Sequence, residues 1–288
     1  MSFGLIAYQS LWLKHYYPAP FYCALLNQQP MGFYSSEVII GDAKRHGIDL
    51  LPPDVNRSAW EYTIEKVDMS APKLRIGLRT VKGLGIQAWE IIEQARKGDP
   101  FRDLDDLCRR TRLHQDIVQN LIRSGALDEF GQRRELLWRM GDIDYKPGEL
   151  NLERESINVM LPRLGELAQA LWEYELLGLS PDMQIMVHYR DALRAAGILS
   201  TWQVKQEQAG RRVQVAGMVV IKQRPQTAGG ILFISLEDEA GLLDLVVKPK
   251  VYQRLRTLLR DHPLLIFAGI VQRADQAVSV LVHQAQAL

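Results

Sequence analysis

A chain of 288 residues, 47% hydrophobic and 24% charged, is long enough for two or three domains with real cores. Its 35 Lys and Arg against 34 Asp and Glu leave a net charge of +1, which excludes an acidic disordered tail and a wholesale basic coat for nucleic acid. Two cysteines, Cys23 and Cys108, are too few for a disulfide framework or a zinc ribbon. No apolar run approaches the roughly 18 residues of a membrane span, and Met1 to Tyr8 lacks the basic start of a signal peptide. A cytoplasmic globular protein with no membrane partner is the expectation.

In chain order, Leu5, Tyr8, Leu11, Trp12 and Tyr16 recur at helical spacing until Pro18 and Pro20. A second apolar run, Phe21 to Leu26, ends before Pro30-Met31-Gly32. A third helix is expected over Ser36 to Arg45, with Ser36 as N-cap and Gly47 just past its end. Leu51-Pro52-Pro53-Asp54-Val55-Asn56-Arg57-Ser58 forbids continuous helix and reads as extended chain with turns, and Trp60 to Leu74 suits short strands.

A short helix through Leu78 and Val81, then Lys82-Gly83-Leu84-Gly85, then a helix from Ile86 to Ala95 make the pattern of a helix-hairpin-helix unit. Gly83 and Gly85 permit a tight turn and close approach of a phosphate, while Leu84 plugs the turn into the core. The hairpin amides at the second helix's N-terminus favour an anion, and Arg79 and Lys82 stand where a neutralising cation belongs. A plain pair of helices that binds nothing fits the same residues. Phe101, Leu104 and Leu107, then Ile117, Leu121 and Ile122, give a second helical pair, closed by Gly125 in the place of a helix C′ glycine, with Arg123 as its candidate cation.

Residues 101–200 carry a net charge of −4 and read as helical, with a break at Lys146-Pro147-Gly148 and ends at Gly178 and Gly197. From Arg211 the period becomes two: Val213, Val215, Gly217, Val219 and Ile221 mark one strand face. Ile231–Leu236, Leu242–Val247, Leu264–Val271 and Ala277–Val282 follow as strands, with Glu237 to Gly241 as a turn and a helix after Pro249. Three strands, a helix and two strands are the chain order of an OB-fold. Residues 201–288 carry a net +4. Lys222, Arg224, Lys248, Lys250 and Arg273 fall at strand ends or loops, where they can track a phosphate backbone, and Phe233 is either barrel core or a stacking platform.

Chemistry is sparse. Asp103-Leu104-Asp105 lies in a helical stretch and Asp142-Ile143-Asp144 in a polar loop, so neither presents two carboxylates as a strand would. No Walker lysine loop follows Gly83-Leu84-Gly85, and six scattered histidines lack metal-ligand spacing. No catalytic residue and no metal site is expected.

Several strings together resemble the bacterial C-family DNA polymerases of the replicative alpha-subunit type. Ala7-Tyr8-Gln9-Ser10, Trp12-Leu13-Lys14 and Tyr17-Pro18 lead to Gln29-Pro30-Met31-Gly32-Phe33-Tyr34-Ser35, which is similar to the fingers region of the error-prone, damage-associated branch. Asp54-Val55-Asn56-Arg57-Ser58, Leu74-Arg75-Ile76-Gly77-Leu78, Ser124-Gly125-Ala126-Leu127-Asp128 and Phe233 to Gly241 resemble that family's connector, hairpins and OB module. Ser180-Pro181-Asp182-Met183-Gln184-Ile185-Met186 departs from it, since the family has a His-Pro step there.

The resemblance implies an α+β multidomain chain: 1–73 a helical fingers-like segment, 74–131 a tandem helix-hairpin-helix DNA-binding domain, 132–208 a helical connector and 209–288 a five-stranded OB-fold barrel. It implies primer-template, duplex and single-stranded DNA as partners, with the catalytic portion and other replication or repair subunits beside them. The palm aspartates that hold Mg2+ in that family have no counterpart here, so no cofactor and no unaided primer extension are expected. The alternative is a protein-interaction module that docks through its OB-fold and acidic connector onto another polymerase subunit.

Overall fold

The computed structural model describes residues 3–32, 34–66, 72–142, 161–182 and 184–288. Lys146-Pro147-Gly148, Asp144 and Met183 lie outside them. The chain divides into two compact units, Met1–Gln29 with Ala43–Asp182, and Pro30–Asp42 with Met183–Leu288.

Helical spacing of apolar residues builds α1 (Phe3–Tyr16), and Pro18 opens α2 (Pro18–Asn27) in the first turn, where a missing N–H costs nothing. The next helix, α3 (Ser36–Arg45), covers the expected range, with Ser36 as its first residue instead of its N-cap: the Ile39 amide bonds the Ser35 carbonyl. Strands β1 (Leu50–Leu51), β2 (Thr63–Glu65) and β3 (Lys73–Arg75) form a small sheet in the order β1-β3-β2. The Asn27 amide locks α2 to this sheet, donating to the Tyr62 carbonyl at 2.9 Å and accepting from its N–H at 2.8 Å. The connector is fixed in the same way. Asp54 accepts from the Asn56 and Arg57 amides, and Asn56 exchanges two hydrogen bonds with the backbone of Phe101.

Beyond a 3-10 turn at Leu78–Thr80 come α4 (Ile86–Arg96), α5 (Leu104–Thr111), α6 (Gln115–Arg123), α7 (Arg133–Asp142) and α8 (Glu166–Leu177). Ile92, Leu104, Leu107, Val118, Leu121 and Ile122 are fully buried, the faces that the three-and-four spacing marks. In contrast, α1 buries none of its residues: Phe3, Leu5, Tyr8, Leu11, Trp12 and Tyr16 are all exposed.

The other unit continues through a 3-10 turn at Ile185–Tyr189, α9 (Arg190–Ala195) and α10 (Thr201–Gln206). The single helix expected from Val187 to Ala196 is thus split between a 3-10 turn and α9. Strands β4 (Arg212–Gln223), β5 (Leu232–Asp238) and β6 (Gly241–Val247), helix α11 (Pro249–Asp261), and strands β7 (Leu264–Ala274) and β8 (Ala277–Ala287) complete the chain. The five strands close into a barrel in the order β4-β5-β6-β8-β7. Alternation sends Val213, Val215, Leu232, Ile234, Leu236, Leu245 and Phe267 inward, and α11 lays Val251, Leu255 and Leu258 against this core. The strand β4 serves two neighbours. Its first half pairs with β7 and its second with β5, with a bulge between Val219 and Ile221.

Candidate nucleic-acid interface

The first hairpin is built around Gly83, whose φ of +84° only glycine holds without strain. Leu84 is 5% exposed and anchors the turn, and the Asn120 amide donates to the Lys82 carbonyl at 2.9 Å, tying the turn to α6. Gly85 opens α4 in extended conformation, and no side chain caps the helix. Among the described residues the amides of Gly83, Gly85, Ile86 and Gln87 have no acceptor, and all four residues are exposed. Lys82 is exposed beside them, and among the described residues no carboxylate is paired with it. An uncapped helix start, its dipole and a nearby ammonium are an arrangement suited to an anion.

Arg79 is placed differently. Its Nη2 donates to the carbonyls of Leu26, Asn27 and Gln29 at 3.1, 2.8 and 3.2 Å, so it closes the C-terminus of α2. At the second hairpin Arg123 reaches Glu175 at 2.5 Å and stacks over the Trp172 ring. Gly125 has φ +87°, as a residue past a helix end does, but the amides of Ser124, Gly125 and Ala126 are all spent on α6 carbonyls. Among the described residues of the two hairpins, the exposed amides without an acceptor lie in the first.

The paired aspartates hold structure together. Asp103 caps α5 through the Asp106 amide at 2.8 Å, and Asp105 meets Arg139 at 2.5 Å. Among the described residues no group of three or more His, Cys, Asp and Glu could hold a metal ion. Asp106 sits between Arg109 (2.9 Å) and Arg110 (3.0 Å). Burial alone would raise its carboxyl, but these two guanidinium groups and the Arg102 amide hold it below the usual range. A depressed folded value stabilises above the unfolded Asp value of about 3.9 and is lost as pH falls through the folded one. In acid titration, Asp106→Asn is therefore expected to be less stable than wild type at neutral pH, the gap closing below about pH 4. A gap that persists unchanged into acid would refute the ionic role.

On the barrel, register places Gln223, Phe233 and Val246 side by side on β4, β5 and β6. Phe233 is 39% exposed and points outward between the buried Leu232 and Ile234, which settles the alternative between core and surface. Arg224 and Lys248 follow at the same end of the sheet. Arg224 stacks on Tyr252 at 5.0 Å, and Lys248 and Lys250 are exposed. Lys222 donates to the Leu259 carbonyl at the end of α11. Arg273 lies at the opposite end, in the β7–β8 hairpin, donating to the carbonyls of Lys205 and Glu207 at 2.5 and 3.0 Å. Phe233, Arg224, Lys248 and Lys250 thus share a region that Arg273 does not. Sequence reasoning missed Arg212 and Arg254, which line an outer groove of the barrel; the Arg211-Arg212 pair opening β4 was the available signal.

Residues 47–137 match the family described as helix-hairpin-helix motif, and residues 213–288 match OB-fold nucleic acid binding domain. An error-prone DNA polymerase of Anaeromyxobacter sp. is 38% identical over 98% of this chain and 26% of its own length. Proteins of the same name from Pseudomonas aeruginosa and Corynebacterium efficiens are 36% and 39% identical, over 97% and 100% of this chain and 27% and 26% of their own lengths. The chain spans about a quarter of the length of the curated relatives it matches. With a helix-hairpin-helix unit followed by an OB-fold, this chain is homologous over nearly its whole length to the C-terminal region of the error-prone DNA polymerases.

Proposed function

We propose that this chain is a non-catalytic DNA grip of an error-prone polymerase acting in replication past damage and in repair. The first hairpin holds a duplex phosphate, and the Phe233–Lys248 end of the barrel takes single-stranded template. The supporting observation is the open start of α4, where the exposed amides of Gly83, Gly85, Ile86 and Gln87 stand beside Lys82, which no carboxylate among the described residues pairs. Primer-template DNA is the partner in this reading, and the bacterial cytoplasm is the compartment. The chain needs no metal of its own for this grip; Mg2+ belongs with the palm of a whole polymerase.

The test is a salt titration of binding to duplex, primer-template and single-stranded DNA, run in EDTA. Lys82→Glu is expected to weaken duplex binding severalfold and to lower the salt slope by about 1. The same charge reversal at the exposed Lys97 is the control. Equal duplex affinity of the two variants at low salt would remove the hairpin from the reading.

A second reading has support from α1. A helix with large apolar side chains exposed along its length is the kind that a protein partner covers. Docking of further polymerase sequence or another subunit on α1 is compatible with the DNA grip. The alternative of docking without DNA affinity fails if the salt titration shows duplex binding.

A further inference from the structure

Across β4, β7 and β8 the pairing sets Gln214, Ala268 and Gln284 on one rung, and Ala216, Ile266 and Gln286 two residues along. Side chains of these rungs alternate with Val215 and Phe267 and so point away from the barrel core; Gln214, Gln284 and Gln286 are exposed, whereas Ala216 and Ile266 are buried. The ladder shifts between Ala268 and Gly269, leaving His283 as the extra residue of β8. A Cβ on Gly269 would lie 2.4 Å from the Leu281 carbonyl oxygen, so only glycine permits this close approach and the concavity it makes. The result is a cavity of about 730 Å3 lined in part by Arg211, Arg212, Gln214 and His283. It adjoins a second of about 220 Å3, which shares Gln214, Ala268, His283 and Gln284 and adds Arg254.

No carboxylate lines either cavity. Arg211 is met by Glu207 at 2.5 Å, but Arg212 has no partner among the described residues. Arg254 spends one donor on the His283 carbonyl at 3.4 Å, and the rest of its five-donor fork is left over. Beside it, Lys250 and Arg256 are exposed on α11, while Arg260 is paired with Asp261. A trough with cations at both ends and amide side chains between them matches a chain of phosphates with exposed base edges.

We propose that the outer groove of β4, β7 and β8 is a second path for single-stranded nucleic acid, running between Arg212 and Arg254. It begins at the end of β4 opposite to the one that carries Phe233, so one strand crossing both regions would have a longer footprint than the Phe233 end alone. This inference rests on the reading that the barrel binds single strands.

The test is fluorescence anisotropy at low salt with labelled oligothymidylates of about 6 and about 20 nucleotides, lengths that bracket the footprint of one OB-fold. Arg212→Glu/Arg254→Glu removes the groove and Phe233→Ala/Lys248→Glu removes the far end; all four side chains are exposed, and circular dichroism checks the fold. The long strand is expected to bind wild type at least tenfold more tightly than the short one. The groove variant should lose that gain and keep short-strand binding, whereas the far-end variant should lose the short strand. If the groove variant holds the long strand as wild type does, the groove carries no DNA and the proposal is wrong. Long-strand binding lost in the groove variant alone, with none of the short strand in wild type, would sustain the groove and overturn the Phe233 end. Wild type that holds neither strand overturns both.

Discussion

Arg133→Met is expected to destabilise the helix-hairpin-helix unit by about 3–5 kcal/mol, the usual cost of leaving a buried charge without its partner. The Arg133 side chain is 6% exposed and stands between two carboxylates. Its Nη2 donates to Asp128 at 2.8 Å and to Glu173 at 2.9 Å, its Nε to Asp128 at 2.9 Å, and its Nη1 to the Arg123 carbonyl at 3.2 Å. Burial works against the guanidinium charge, but Asp128 and Glu173 more than restore it and raise Arg133 above the ordinary arginine range. Glu173 is 2% exposed, and its other oxygen accepts from Ser180 at 2.6 Å. Methionine fills the volume but leaves this carboxylate buried and unmatched.

Because breaking the pair costs more than the pair contributes, Arg133→Met/Glu173→Leu should recover much of the loss. Five of the six tryptophans, Trp12, Trp60, Trp89, Trp138 and Trp172, belong to this unit, so urea unfolding followed by tryptophan fluorescence reads it directly. An unmoved midpoint in the single variant would mean that the network contributes nothing. The prediction also bears on function. Arg133 reaches the last turn of α6, and α6 supplies Asn120 to the Lys82 turn, so loosening this network should weaken duplex binding as well.

Periodicity made the barrel legible, because alternation over Val213 to Val219 reads as a strand, although Ala216 and Met218 on its other face are buried as well. Residue type left Phe233 between barrel core and stacking platform, and only its exposure between the buried Leu232 and Ile234 shows that it stands outside. Hydrophobic spacing could not separate the 3-10 turn at Leu78–Thr80 from an α-helical turn, since three residues show no phase. The six residues of α10 were too few for a periodic signal, yet Ser200 and Gln203 do form a capping box that marks its start.

The candidate cations show where reading by residue type ends. Arg79 is 50 to 53 residues distant from the carbonyls it caps, and Arg273 is 66 and 68 distant from its own. A sequence displays a cation, but its partner is set by the fold. Among the described residues no carboxylate pairs with Lys82, and glycine marks its turn in the sequence itself.

The turn at Glu237 to Gly241 hides the second large effect. Asp238 is the last residue of β5, and its side chain is 0% exposed. Its Oδ1 accepts from the Thr201 hydroxyl at 2.5 Å and the Ala240 amide at 2.9 Å; its Oδ2 accepts from the Thr201 amide at 2.7 Å and Arg190 Nη2 at 2.9 Å. Each oxygen therefore faces two donors, and α9 and α10 are both fastened to the barrel through one carboxylate. Asparagine has nearly the same shape, yet whichever way it lies its NH2 meets two donors and one of its acceptors is lost. Asp238→Asn is thus expected to cost about 1–3 kcal/mol, the usual cost of leaving a buried donor unmatched, since Arg190 keeps Glu239 as a counter-ion through Nε and Nη2. Arg190→Met tests the ionic part separately, since it removes the counter-ion that Asp238 shares with Glu239 while Asp238 keeps its three donors from Thr201 and Ala240. Hydrogen exchange by mass spectrometry at Leu232–Asp238 and Thr201–Gln206 measures the loss. If Asp238→Asn protects both peptides as wild type does, the four-donor geometry is not what holds α10 to the barrel.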